Sequence, residues 1–293
     1  MNWLKKIFGT NKDKAKKEES IKYQANTNLS EIDESDVVKE FIESHNKISY
    51  ILNPRTTTSD SKIDENKFGG IPNLKNFDEY PKCKSCKTNF NFVLQVYRDK
   101  NNSGFFPEQT DLFQVFRCPN TNCDDSYNQF YDLPTKLFYF KDNSNGIQIE
   151  KPKIPNSENY ETETPTCEIR GTIRMDFPQY DDHDPDINSK IEEIYGEDGS
   201  EYFTEKYQSI IGTKMGGHPS WIQGAYKIEC KCGSKKEFIF QLSSEDREQG
   251  VPYPPPQDKW SPHKIMIGDV GNLYFFMCKN CGIESIESNW DCF

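Results

Sequence analysis

Two stretches of this chain spell nearly the same order of residues, and that repetition restricts the fold more than any other feature. Lys67-Phe68-Gly69-Gly70-Ile71-Pro72 returns as Lys214-Met215-Gly216-Gly217-His218-Pro219. Cys83 and Cys86 return as Cys230 and Cys232, and Phe92-Val93-Leu94-Gln95 returns as Phe238-Ile239-Phe240-Gln241. The spacing is 147 residues from 67 to 214 and from 83 to 230, and 146 from 95 to 241. A last aromatic stretch, Leu112 to Cys118 and Leu273 to Cys278, keeps the order at a spacing of 160 from 118 to 278. Repetition of whole motifs at near-constant spacing predicts two halves of one architecture packed as a pseudo-two-fold body.

The repeats are dense in β-branched and aromatic residues over 90–97, 112–118 and 133–140, as strands should be, with a turn at Asn101-Asn102-Ser103-Gly104 between the first two. Glu168 to Met175 is a further short strand. Val37, Val38, Phe41, Ile42 and Ile48 form a helical stripe from Ser35 to Ile48, with Asp36 and Glu40 in the early turns. A weaker helix covers Ile187 to Gln208. The expected fold class is α+β: duplicated, mainly antiparallel β-sheet halves with peripheral helices, each half carrying a zinc-ribbon-like four-cysteine site. Residues 1–30 read as a basic flexible lead, and 31–293 as one domain of two repeats, about 67–140 and 214–293. Residues 49–66 read as an irregular connection. A polar crossover over 141–166 joins the repeats, and the proline-rich loop Val251 to Pro256 cannot join a central strand.

Eight of the ten cysteines fall in close pairs. Cys83-x-x-Cys86 with Cys118-x4-Cys123, and Cys230-x-Cys232 with Cys278-x-x-Cys281, have the form of four-thiolate zinc sites. Two knuckles facing each other complete a tetrahedron with no position left for water, so both ions are expected to be structural. Reduced, buried thiols without metal are the competing reading. Thioredoxin-like redox chemistry is disfavoured because no βαβ context surrounds either pair. Cys167 and Cys292 stand alone. Metal-type cysteine spacing without a secretory signal places the chain in the cytoplasm.

With 47 acidic and 36 basic side chains the net charge is −11. Such a surface repels nucleic-acid backbone and favours a basic protein partner. No run of about 18 apolar residues exists, so no transmembrane segment is expected. Trp3, Leu4, Ile7 and Phe8 share a helical face beside lysines, which leaves a weak membrane-surface contact open against a solubilising tail.

The glycine pairs, each followed one residue later by proline, read as sharp turns. They lack the lysine and helix start of a phosphate loop. Gln95 and Gln241 end equivalent strands, either as buried amides bonded to backbone or as part of a binding face. His218 and Trp221 either floor a ligand site or pack in the core. Of the four histidines, His183 sits in an acidic loop, and His263 with Asp269 is a conceivable acid–base pair.

These motifs carry a resemblance. Lys67-Phe68-Gly69-Gly70-x-Pro72, Gln95, Lys214 to Gln223, Gly268-Asp269-x-Gly271 and Trp290-x-Cys292-Phe293 resemble the YwqG-like family of bacterial proteins of unknown function, over residues 35–293. The first repeat is also similar to the programmed cell death protein 2 group, through Cys83/Cys86, Leu94-Gln95-Val96-Tyr97 and Cys118-Pro119 through Cys123. That second resemblance implies a cytoplasmic chaperone for a small-subunit ribosomal protein. The basic lead, the acidic crossover and Leu74 in place of a tryptophan depart from the group and leave the partner open. The expected function is a non-enzymatic protein-binding module, chaperone-like or immunity-like, that holds a basic protein. The alternative is an enzyme or small-ligand binder using a crevice between the halves, with Gln95, His218, Trp221 and Gln241 around it.

Overall fold

A computed structural model describes residues 35–59, 62–123, 135–141, 149–179, 185–226, 228–246 and 260–293. The basic lead, the acidic loop around His183 and the proline-rich loop lie outside these residues. The chain divides into two compact units, one of residues 1–45 and 183–207, the other of 46–182 and 208–293.

The described residues of the first unit are mainly helical. Helix α1 (Asp36–His45) is capped by Ser35, whose Oγ accepts the Val38 N–H at 3.3 Å, and it buries Val38 and Phe41. It ends three residues before the apolar stripe does. Ile48 instead enters a strand and stays 48% exposed. Helix α2 (Pro185–Lys206) breaks at Gly196, where φ is 71°. Before that break, Ile191 is buried while Ile194 is exposed. Phe41 meets Phe203 edge-on at 5.0 Å and Tyr207 at 6.3 Å, and these rings hold the two helices together.

Among the described residues, the second unit has two six-stranded sheets. Its strands are β1 (Lys47–Ile51), β2 (Pro54–Thr56), β3 (Lys67–Phe68), β4 (Asn91–Tyr97), β5 (Leu112–Arg117) and β6 (Thr135–Phe140). They continue as β7 (Cys167–Ile169), β8 (Thr172–Asp176), β9 (Lys214–Gly216), β10 (Glu237–Ser243), β11 (Asn272–Cys278) and β12 (Gly282–Asp291). One sheet runs β12-β11-β10-β9-β1-β8, the other β2-β7-β3-β4-β5-β6, and every pairing is antiparallel. Moving every strand six places along the chain turns one order into the other. Both β4/β5 and β10/β11 shift register at the same place, between Phe92 and Leu94 and between Phe238 and Phe240.

Two expectations change here. The connection over 49–66 contains most of β1 and all of β2, which pair with strands more than a hundred residues away. The single strand over 168–175 is two strands in different sheets, with β7 beside β3 and β8 beside β1. Each of these short segments therefore spans both sheets and stitches them together.

The sheets share a core. Tyr50, Leu52, Phe68, Val93, Phe113, Met215, Phe240 and Phe275 belong to one buried cluster, in which Phe113 meets Phe240 at 4.9 Å. Each fully buried large apolar side chain contributes about 1.5–3 kcal/mol, so this cluster dominates cohesion between the sheets. A second cluster surrounds the first cysteine group, and a third joins Trp221, Tyr274 and Phe276. Among the described residues no helix is long and apolar enough to cross a membrane.

Candidate metal centres and the polar clamps behind them

The knuckle before β4 and the end of β5 bring Cys83, Cys86, Cys118 and Cys123 together, with all four sulfurs within 4.8 Å of one another. Cys83 and Cys123 Sγ lie 3.5 Å apart, as do Cys86 and Cys118. A tetrahedral ion with sulfur at 2.3 Å needs separations of about 3.8 Å, so the set fits one metal ion with slight expansion. The knuckle closes through Lys87 N–H to the Cys83 carbonyl at 3.1 Å and Cys83 N–H to the Thr88 carbonyl at 2.9 Å. Lys87 takes a left-handed φ of 62° to make that turn.

Cys230, Cys232, Cys278 and Cys281 gather in the same way beside β10 and β11. Their sulfurs are 3.7 Å apart for Cys230–Cys281 and 3.6 Å for Cys232–Cys278. The shorter Cys-x-Cys spacing works because Gly233, at φ 83°, donates its N–H to the Cys230 carbonyl at 2.8 Å. Hydrogen bonds from Ser234 bring the Cys232 thiol down to about 6. The two groups differ in cover. Cys83, Cys118 and Cys123 are at most 1% exposed, whereas Cys232 and Cys281 are exposed. Cys167 is buried and Cys292 half-buried, and neither joins a cysteine group.

Behind each group stands a glutamine clamp. Gln95 Oε1 accepts the Asn73 N–H at 2.9 Å, and its Nε2 donates to the carbonyls of Ile63 at 2.5 Å and Glu65 at 2.9 Å. Gln241 Oε1 accepts the Ser220 N–H at 2.9 Å, and its Nε2 donates to the Gly212 carbonyl at 3.0 Å and Ser220 Oγ at 2.6 Å. Both amides are fully buried. Each holds the chain just past a glycine pair, whose turns are as sharp as expected: φ is 56° and 72° in the first, 67° and 75° in the second. A Cβ on Gly69 would sit 2.1 Å from the Thr164 carbonyl oxygen, and one on Gly217 would sit 2.1 Å from Asp176 Oδ2.

The four residues placed around a crevice do not meet in one. Gln241 bonds Ser220, between His218 and Trp221, so these three are neighbours, while Gln95 stands in the other sheet. Trp221 packs on Tyr274 at 4.5 Å and Phe276 at 6.0 Å. The His218 N–H donates to Asp176 Oδ2 at 3.0 Å.

Sequence reasoning missed three buried ionic groups. Lys214 Nζ, fully buried, lies 2.8 Å from both Asp176 Oδ2 and Ser209 Oγ. Burial brings Lys214 down to about 8 against the pull of Asp176. Lys67 holds the equivalent register, and its Nζ donates to the Lys62 carbonyl. Burial brings it to about 8 as well, opposed by Glu65 and Asp64. A lysine directly before each glycine pair was the available signal. Third, the His263/Asp269 pair is corrected. His263 Nε2 donates to Asp246 Oδ2 at 2.9 Å, and its Nδ1 accepts the Ile265 N–H at 3.0 Å, so the Nε2–H tautomer follows from the bonds. Asp246 also accepts the Thr213 N–H at 2.6 Å and the Thr213 hydroxyl. Ser261 Oγ is 3.3 Å from Nδ1, but that lone pair already serves Ile265. The imidazole is a fully buried pin stacked on Phe68 at 4.9 Å.

One cleft of about 580 Å³ is strongly acidic. Among the described residues, Asp64, Glu65, Asp99 and Glu168 line it against the single cation Arg170, whose Nε donates to Glu168 Oε1 at 2.9 Å.

The profile of the domain of unknown function DUF1963 matches residues 66–292, from the first glycine turn to the end of the last strand. Comparison with curated proteins returns no match.

Proposed function

From a chain that belongs to the DUF1963 family, we propose a non-enzymatic protein-binding module, chaperone-like or immunity-like, that holds a basic protein partner. One observation carries this: the acidic cleft of about 580 Å³, where four carboxylates face one arginine on a chain of net charge −11. A lysine or arginine side chain entering it would exchange water for charge-assisted hydrogen bonds, and the field would raise the rate of encounter.

The supporting parts are proposals too. The two tetrads each bind zinc, because four thiolates at these separations suit a d¹⁰ ion without geometric preference, and both ions are structural. Thiolate ligands need a reducing compartment, which favours the cytoplasm. The likeness of the two strand orders supports an origin by duplication, with a pseudo-two-fold relation between the sheets. The finer likeness to YwqG-like proteins fits the family match.

Affinity purification of the full chain with mass spectrometry tests the reading. A stoichiometric basic protein that is lost on Asp64→Lys/Asp99→Lys substitution supports it. Recovery of no stoichiometric partner, or retention of the same partner by the charge-reversed variant, overturns it.

A further inference from the structure

Arg117 is out of place for a core strand. It ends β5, directly opposite Asn91 on β4, and the two are 5% and 3% exposed. At the matching register of the other sheet stand Met277 and Glu237. The fold therefore accommodates a methionine where this sheet buries a guanidinium, and burying that charge is costly.

The pair faces a cleft of about 190 Å³. The strands β4 and β5 and the crossover 161–165 form one side, and the loop 263–266 of the second repeat closes the other. Arg117 donates from Nη1 to the Met266 carbonyl at 3.1 Å and pairs through Nη2 with Glu161 Oε1 at 3.1 Å. Asn91 Nδ2 donates to the Thr162 carbonyl at 3.2 Å and Thr164 Oγ1 at 3.3 Å. Its Oδ1 is buried without a hydrogen-bond partner. An acceptor left unpaired in a buried place costs about 1–3 kcal/mol, which something entering the cleft would recover.

We propose that this cleft is a binding site for a small, uncharged, polyhydroxylated molecule of single-ring size, such as a monosaccharide or a cyclitol. Charge offers an ion no unmatched partner inside the cleft, because Arg117 is matched by Glu161 and Glu163 by Lys151, while Lys264 at the rim is exposed to solvent. The polar groups alternate in sense. Asn91 Oδ1 accepts, Arg117 has N–H groups beyond the two it uses, and the Thr164 hydroxyl can donate while it accepts from Asn91. Hydroxyl groups satisfy both senses at once, whereas a carboxylate or an ammonium satisfies only one. Val93 and Ile265 supply an apolar wall for the ring C–H face. The volume equals that of about six liquid waters, enough for one ring. The site stands apart from the acidic cleft, and either could exist without the other.

The full-length metal-loaded protein, titrated by amide NMR with glucose, galactose and myo-inositol, and with glucuronate and glucosamine as charged counterparts, provides the test. Saturable shifts at Thr164 and Ile265 with a neutral probe, at least about tenfold weaker binding of both charged ones, and an equal loss in Asn91→Leu are expected. Thr164→Val, which removes only a hydroxyl, repeats the test should Asn91→Leu fail to fold. Three results would overturn the proposal: no saturable shift with any neutral probe, preference for a charged probe, or binding unchanged in the folded variant. A crystal soaked in the neutral probes that shows only ordered water on Asn91 Oδ1 overturns it equally.

Discussion

The two cysteine tetrads have nearly the same sulfur separations and very different surroundings. Around the first, Leu74, Tyr80, Phe90, Phe92 and Phe116 form a buried cluster with three of its cysteines. In the second, two of the four cysteines face solvent. The contrast separates two properties that are easily merged. The knuckles decide whether an ion can be held, and the packing around them decides how much of the fold depends on it. The first tetrad occupies the middle of a core that it helps to make. The second sits at the ends of strands whose core lies elsewhere, in the shared cluster with Phe240 and Phe275 and in that of Trp221, Tyr274 and Phe276.

The sharpest test of that contrast is removal of one ligand from each. Cys118→Ser should cost on the order of 10 kcal/mol, the scale of a structural ion, and leave the first half unfolded. Cys281→Ser should also lose one metal ion by native mass spectrometry, yet retain a cooperative thermal transition at a modestly lower midpoint. A chelator added to the wild-type protein should empty the exposed tetrad first. Equal melting losses in the two variants, or simultaneous release of both ions, would erase the difference.

The paired lysines give the next effect in size. Lys214→Met strands Asp176 in a place where both partners are 0% exposed, and loss of one member of such a pair costs about 3–5 kcal/mol. Lys67→Met removes an ammonium whose bond is to a carbonyl, and should change stability by about 1 kcal/mol or less. Urea denaturation of the two variants side by side measures the gap; equal costs would mean that Lys67 has an ionic role as strong as that of Lys214.

Smaller again are the glutamine clamps. Gln95→Leu and Gln241→Leu keep the side-chain volume and leave a backbone N–H and at least one carbonyl unpaired, at a cost of about 2–3 kcal/mol each. Gln95→Leu should cost more, because Gln114 Nε2 also donates to Gln95 Oε1 at 3.2 Å and would lose that partner. The reverse order in thermal melts would show that the second clamp carries more of its turn than these bonds imply.

How far these features were visible beforehand follows from how local they are. The cysteine knuckles, the glycine turns and strands β4, β5 and β10 rest on residues close together in the chain, and spacing alone reveals them. Strands β1 and β2 have five and three residues, and only partners far along the chain make them strands, whereas the segment of β7 and β8 reads as one strand because nothing local marks the change of sheet between Ile169 and Thr172. Ile48 shows the ambiguity, since it fits a helical stripe and yet pairs with Met175 across β1 and β8. The partner of His263 was missed for the same reason. Asp269 lies six residues away in sequence, but Asp246, in a run of polar residues that reads as a plain loop, is the one the fold delivers. Arg117 was hidden because a single cation in an aromatic strand does not disturb the strand pattern.

The charge of Lys67 also responds to pH. Lys67 ionises in the folded chain near 8, against 10.5 for an ordinary lysine, because burial disfavours its cation. Below about 8 both states of the chain hold the proton, and the folded state bears the full penalty of the buried charge. Between 8 and 10.5 the unfolded chain binds more protons than the folded one, so stability contributed by this residue rises with pH across that window. Lys67→Met removes the titration. The difference in unfolding free energy, wild type minus Lys67→Met, should therefore grow in favour of the wild type between pH 8 and pH 10, measured by urea denaturation at each pH. Lys214 complicates neither arm, because it is present in both proteins. A difference that stays flat with pH would mean that the Lys67 ammonium keeps its proton in the fold, held there by the carboxylates of Glu65 and Asp64 that oppose its burial.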